Sequence, residues 1–286
     1  MRSVTALLLG LLLVSCSNVS RERSSYTPAF SVAGEGPDIV FVHAEVMDQR
    51  MWEPQVDLLK EDFRVLTYDR MGYGESPEWT PNLPAVDQMR SVLAEASISD
   101  AIIVGSSEGA AIALDYALAN PSLVKSLILV SPRLIDFEPV NPNYSMAWDG
   151  YQTALAEKNV TYLSSYYLDI FWPDGMPLDK VKLPRKWRNY KANQHYAFTE
   201  REGFYELPEF LEPEPLKWMT RIDEFPTLLI FGEYDHSAMI QNVAMIHQAL
   251  PEAQYAEIPN AAHLPNLENT ERFNEILRSF LDGLPE

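Results

Sequence analysis

The sequence predicts an α/β protein: one mostly parallel sheet flanked by helices, with a long insertion between two of the strands. Three observations predict it. Short β-rich apolar runs recur along the chain, helical stretches stopped by proline separate most of them, and one interval between runs is too long to be a loop. With 286 residues, 47% of them hydrophobic and 22% charged, the chain can bury the core of one domain of about 200–250 residues.

The first element is a leader. Met1 and Arg2 precede an apolar run at 6–14, too short to span a bilayer as a mature helix but sized for the core of a secretion signal, so residues 1–15 are expected to be a signal peptide. The run ends in Leu13-Val14-Ser15-Cys16, which resembles a bacterial lipobox. Cys16 is the only cysteine, so an exported domain could form no internal disulfide, and its one sulfur lies where lipidation would use it. An ordinary signal peptide with a chance cysteine is the competing reading. A lipid on Cys16 would make the membrane a partner of the chain, each buried CH2 contributing about 0.8 kcal/mol. Ser17, in place of an aspartate after the cysteine, favours an outer membrane if the source is Gram-negative. Residues 16–29 are polar without apolar periodicity and read as a tether reaching at most about 3.5 Å per residue.

The runs at 38–42, 63–68, 101–104, 127–130 and 227–231 are expected to be strands covered on both faces. Residues 85–96, 110–120 (stopped by Pro121) and 241–250 (stopped by Pro251) are expected to be helices. Such alternation gives a parallel sheet whose ligand site lies at the carboxyl ends of the strands. The core is expected to span 30–133 and 223–286, and the insertion 134–222. Half of the Phe, Tyr and Trp residues fall within 141–222, Trp148, Trp172, Trp187 and Trp218 among them. They predict an apolar pocket roof for a small-molecule substrate, unless they only build the insertion's own core. The basic cluster Lys180, Lys182, Arg185, Lys186, Arg188 and Lys191 reads as a solvated helix face, with attraction to anionic lipid head groups as the sharper alternative. A net charge of -19 and the lack of a long basic stretch argue against a nucleic-acid partner. No motif calls for a metal or a cofactor.

The run at 101–104 leads into Gly105-Ser106-Ser107-Glu108-Gly109 and then a helix, the strand-turn-helix setting in which a G-x-S-x-G pattern presents a nucleophile. The glycines allow a turn so sharp that larger side chains would collide with the neighbouring strand and helix. A simple tight turn is the plainer alternative. A serine hydroxyl is a weak nucleophile and needs a base, itself held in the right tautomer by a third group. Of five histidines only His263 follows all the strands, in the loop 259–265 before a last helix. The turn Gly232-Glu233-Tyr234-Asp235 offers two acids, Glu233 and Asp235.

Residues 43–52, Tyr68-Asp69-Arg70-Met71-Gly72-Tyr73-Gly74-Glu75-Ser76, the Ser107 turn, residues 232–235 and Ala262-His263-Leu264-Pro265-Asn266-Leu267-Glu268 together resemble the α/β-hydrolase family, from about residue 30 to the end. The resemblance implies the α/β-hydrolase fold, with the insertion as a helical cap, and a catalytic set in the order Ser107, Asp235, His263, with Asp235 preferred over Glu233. It also implies an oxyanion hole made by the backbone N–H groups of Glu108 and Glu45. Ala44 departs from the family, which usually has glycine there. The carboxylates of Glu45 and Glu108 are expected near the mouth, disfavouring anionic substrates. His43 is expected to be structural, and His236 and His247 to lie on or near the surface.

The family includes esterases, lactonases, carbon–carbon bond hydrolases, haloperoxidases and prolyl aminopeptidases, whereas relatives that dehalogenate or open epoxides carry an aspartate where this chain has Ser107. The expected function is a serine hydrolase cleaving a small or medium, largely uncharged ester, thioester or lactone through an acyl-enzyme. The alternative is a non-catalytic or slow ligand sensor, which turnover would distinguish.

Overall fold

The computed structural model describes residues 27–45, 47–77, 83–134 and 214–285, with the single positions 150, 153, 157 and 159. The expected leader, Cys16, nearly all of the tether, most of the cap with its aromatics other than Trp218, and the basic cluster lie outside the described residues.

The described strands are β1 (Phe30–Ala33), β2 (Asp38–Val42), β3 (Arg64–Tyr68), β4 (Ala101–Ser106), β5 (Val124–Val130), β6 (Thr227–Gly232) and β7 (Gln254–Ile258). They form one sheet in the order β1-β3-β2-β4-β5-β6-β7, parallel except for β1 against β3. The five apolar runs became β2 to β6. The two edge strands were not anticipated: both inner residues of β1 are exposed, and only Ile258 of β7 is buried, so neither carries the continuous apolar run of a covered strand.

Side chains alternate across the inner strands and feed two layers. Ile39, Phe41, Val104, Ile128 and Ile230 pack with Trp52, Leu59, Phe273, Leu277 and Phe280. These come from the helical region ending in α1 (Glu53–Leu59) and from the last helix. Val40, Val42, Ile103, Leu129 and Leu229 face the other layer, with Met89, Val92, Leu114, Val243 and Ile246. That layer holds α2 (Ala85–Glu95), α3 (Glu108–Ala119) and α4 (Ser237–Ala249). The chain ends in α5 (Pro265–Glu268) and α6 (Thr270–Asp282), whose buried Phe273, Leu277, Phe280 and Leu281 make one apolar stripe.

All of α3 from Glu108 to Leu118 is buried. Part of its cover is the 3-10 turn Pro215–Arg221, from which Met219 enters the core, followed by Ile222. Met219 and Ile222, from the segment assigned to the cap, are thus buried in the same cluster as α3, while Lys217, Thr220 and Arg221 are exposed. Trp218 packs half-buried on the same layer, with the Arg221 guanidinium 4.2 Å from its ring centroid.

The register sets Val42 beside Gly105, Ser106 beside Val130, and Val130 beside Ile230. β2, β4, β5 and β6 therefore end along one rim of the sheet.

Candidate active site

Ser107 is the single residue between β4 and α3, held at φ 55° and ψ −116°. That left-handed backbone is unfavourable for a side-chain-bearing residue. It persists because the surroundings fix it: the Ser107 N–H donates to the Val130 carbonyl at 2.8 Å, and its own carbonyl accepts from the first turn of α3. The glycines on either side make the approach possible. A Cβ on Gly105 would lie 2.2 Å from the Gly109 carbonyl oxygen, and one on Gly109 would lie 2.4 Å from that of Val42 and 2.5 Å from that of His43. The start of α3 is thereby pressed against the loop leaving β2.

The acid and the histidine come from two loops beyond β6 and β7 that pack backbone to backbone. The Tyr234 N–H donates to Ala261 O at 2.8 Å, and a Cβ on Gly232 would meet the Ala262 carbonyl at 2.1 Å. This contact sets Asp235 against His263. The His263 Nδ1 lies 2.8 Å from Asp235 Oδ1, and its Nε2 lies 2.8 Å from the Ser107 Oγ. With the carboxylate accepting at Nδ1, the neutral imidazole carries its proton there and turns a bare Nε2 towards the serine hydroxyl. All three side chains are buried, and Asp235 Oδ1 is further held by the His236 N–H at 2.8 Å. Glu233, the other acid of that turn, instead accepts from the Asn260 N–H.

His43 is fully buried. Its Nδ1 donates to the Ala44 carbonyl at 2.8 Å and its Nε2 accepts from the Arg70 N–H at 3.0 Å. Both ring nitrogens are thus used to hold backbone, as expected of a structural residue. Burial first, then the Arg70 charge, holds its pKa well below the ordinary imidazole value, so the ring is neutral. His236 is half-buried at the start of α4, where its Nδ1 accepts from the Ala238 N–H. Burial lowers its pKa, Asp235 opposes that, and His263 adds to it. His247 is half-buried on α4 with its ring centroid 5.0 Å from that of Tyr255.

Glu108 opens α3, so its N–H is among the first-turn donors with no intrahelical acceptor, at the positive end of the helix dipole. Its carboxylate is buried, with Oε2 2.5 Å from Arg70 Nη1 and Oε1 3.6 Å from Arg133 Nη1. Glu45 lies 4.0 Å from the same Arg133 nitrogen. The expectation that these two carboxylates leave the site negatively charged is corrected accordingly: they face two guanidiniums, which offset both their charge and the cost of burying Glu108.

Arg133 and Glu268 were missed as site residues. Glu268, at the end of α5, accepts through Oε2 from the N–H groups of Ala262 at 2.6 Å and Leu264 at 3.3 Å, the residues flanking His263. Glu268 and Arg70 lie inside motifs already noted, but no sequence spacing says what their side chains touch. Among the described residues no group of histidine, cysteine or carboxylate side chains is arranged to hold a metal.

A serine on a sharp strand-to-helix turn, an aspartate and a histidine thus meet at one rim of a mostly parallel sheet. The model of the alpha/beta hydrolase fold family matches residues 37–270, and the chain is an enzyme belonging to that family. It is 26% identical over 259 residues to a pimeloyl-[acyl-carrier protein] methyl ester esterase of Legionella pneumophila, covering 87% of this chain and 96% of that one. It is also 26% identical over 251 residues to a 3-oxoadipate enol-lactonase of Acinetobacter baylyi, covering 87% and 90%. Among solved structures, a bromoperoxidase from Bacillus anthracis superposes with a TM-score of 0.74 at 20% identity, over 88% of this chain and 94% of that one.

Proposed function

We propose that this chain is a serine hydrolase that cleaves a small or medium ester, thioester or lactone through an acyl-enzyme. The observation that carries the reading is the unbroken hydrogen-bond chain Asp235–His263–Ser107, with both links at 2.8 Å. Ser107 Oγ attacks the carbonyl carbon while His263 Nε2 takes its proton. Asp235 keeps the imidazole in the required tautomer and balances its charge, and the N–H groups of Glu108 and Glu45 hold the oxyanion. Collapse of the tetrahedral species expels the leaving oxygen or sulfur, protonated by His263. Water, activated by the same imidazole, then releases the acyl group.

Relatives named as a methyl ester esterase and an enol-lactonase support ester or lactone chemistry. The balance of Arg70 and Arg133 against Glu45 and Glu108 supports a largely uncharged acyl group, since the charges of these four side chains cancel. Covalent labelling by a fluorophosphonate probe, lost in Ser107→Ala, tests the reading. A folded wild type that is neither labelled nor able to turn over p-nitrophenyl esters and lactones would favour a ligand sensor instead. The export signal at 1–15 and the lone cysteine support a lipid anchor on Cys16, facing the periplasm or cell surface. Incorporation of labelled palmitate, abolished by Cys16→Ala, tests that part separately.

A further inference from the structure

The two residues assigned to the oxyanion hole belong to different elements, Glu45 to the loop after β2 and Glu108 to the start of α3. Their side chains are connected through a third. Arg133, just past β5, places Nη1 3.6 Å from Glu108 Oε1 and 4.0 Å from Glu45 Oε2, while its N–H donates to the Ser107 carbonyl at 3.3 Å. On the other side Glu108 Oε2 accepts from Arg70 Nη1 at 2.5 Å, the Arg70 N–H donates to His43 Nε2 at 3.0 Å, and His43 Nδ1 donates to the Ala44 carbonyl at 2.8 Å. Ala44 is bonded to Glu45. The contacts therefore close into a ring running Glu108, Arg70, His43, Ala44, Glu45, Arg133 and back to Glu108.

We infer that Arg133 is a positioning residue of the oxyanion hole: it closes this ring and so sets the spacing between the backbone N–H groups of Glu45 and Glu108. The inference rests on the serine-hydrolase reading above. The Arg133 contacts are too long for hydrogen bonds and act as charge attractions, which fall off slowly with distance. Screening is weak there, since the side-chain exposures are 19% for Arg133, 4% for Glu108 and 26% for Glu45. Without Arg133 the ring is open on the side of the loop after β2, and among the described residues Arg70 is the cation left facing Glu108. Oxyanion donors work by being in place before charge develops, so a loosened donor weakens the transition state far more than the bound ester.

The test uses the full-length protein and p-nitrophenyl butyrate. Arg133→Gln is expected to lower kcat about tenfold, less than the roughly 10²–10³-fold fall that follows loss of a donor outright, with KM changed by less than about twofold. Affinity for a boronic acid that mimics the tetrahedral species should fall by the same factor as kcat/KM. Arg133→Lys should recover most of the activity. Glu45→Gln, which removes the charge but keeps the N–H, should reproduce the loss, and the double variant should be no slower than the slower single one. Arg133→Gln with kcat within twofold of wild type, or with KM raised only for carboxylate-bearing esters, overturns the inference and leaves the hydrolase reading standing. If Arg133→Gln does not fold, Glu45→Gln and Arg133→Lys decide in the same way. A wild type without labelling or turnover overturns both.

Discussion

Ser107 occupies a backbone conformation that costs on the order of 1–3 kcal/mol, and four hydrogen bonds of its own N–H and carbonyl hold it there. The hydroxyl itself contributes little to that hold. Ser107→Ala is therefore expected to stay folded, with an unchanged urea midpoint, while covalent labelling disappears. Asp235→Asn tests the tautomer argument: an amide that donates at Nδ1 turns the imidazole proton towards Ser107, and kcat should fall about 10³–10⁴-fold with the fold intact. Glu268→Ala leaves two buried N–H groups unpaired on either side of His263. A loss of about 1–3 kcal/mol of stability per group is expected, with kcat lowered as well, and Glu268→Gln should recover part of both because an amide oxygen still accepts. Ser107 was legible from the glycines around its turn and His263 from its place after the expected strands, whereas Asp235 was set apart from Glu233 only by the family resemblance. Glu268, Arg70 and Arg133 were legible as residue types only, since their partners lie on other elements.

At the scale of elements, α3 and the loop leaving β2 meet at a distance that only hydrogen on Gly109 permits. Gly109→Ala would force a Cβ into two carbonyl oxygens, so α3 must move away from that loop. The expected result is a loss of about 1–3 kcal/mol in urea unfolding, together with a fall in kcat larger than any rise in KM, because the same movement separates the proposed oxyanion donors. An alanine variant with wild-type stability and kcat would show that the elements can slide without consequence. The inner strands were readable as apolar runs because the sheet is covered on both faces. β1 and β7 were not, because an edge strand packs along part of its length and its composition follows solvent as much as core.

At the scale of the whole molecule, the buried histidine makes stability depend on pH. His43 is neutral in the native state with its pKa held well below the ordinary value, whereas in the unfolded chain it titrates at about 6.5. Above that pH neither state binds the proton and the group adds no dependence. As pH falls below it the unfolded state takes up a proton that the native state refuses, so the unfolding free energy should drop by up to about 1.4 kcal/mol per pH unit between roughly pH 6.5 and 5. Urea unfolding of the wild type and His43→Gln across that window checks this. The variant is less stable overall but should show the shallower slope, and equal slopes would contradict a neutral, buried His43.

The sequence by itself determined the strand-helix alternation, the mostly parallel sheet with its rim, and the turns that carry Ser107, Asp235 and His263. These are local matters of side-chain periodicity and of backbone conformations that only certain residues reach. Tertiary structure decided which polar groups meet: that buried Glu108 pairs with Arg70, that Glu268 holds the backbone around His263, and that Arg133 links two separate elements. The physical reason is range. Backbone preference is set within a few residues, whereas a buried carboxylate is settled by whichever cation or N–H donor the fold brings to it from distant parts of the chain.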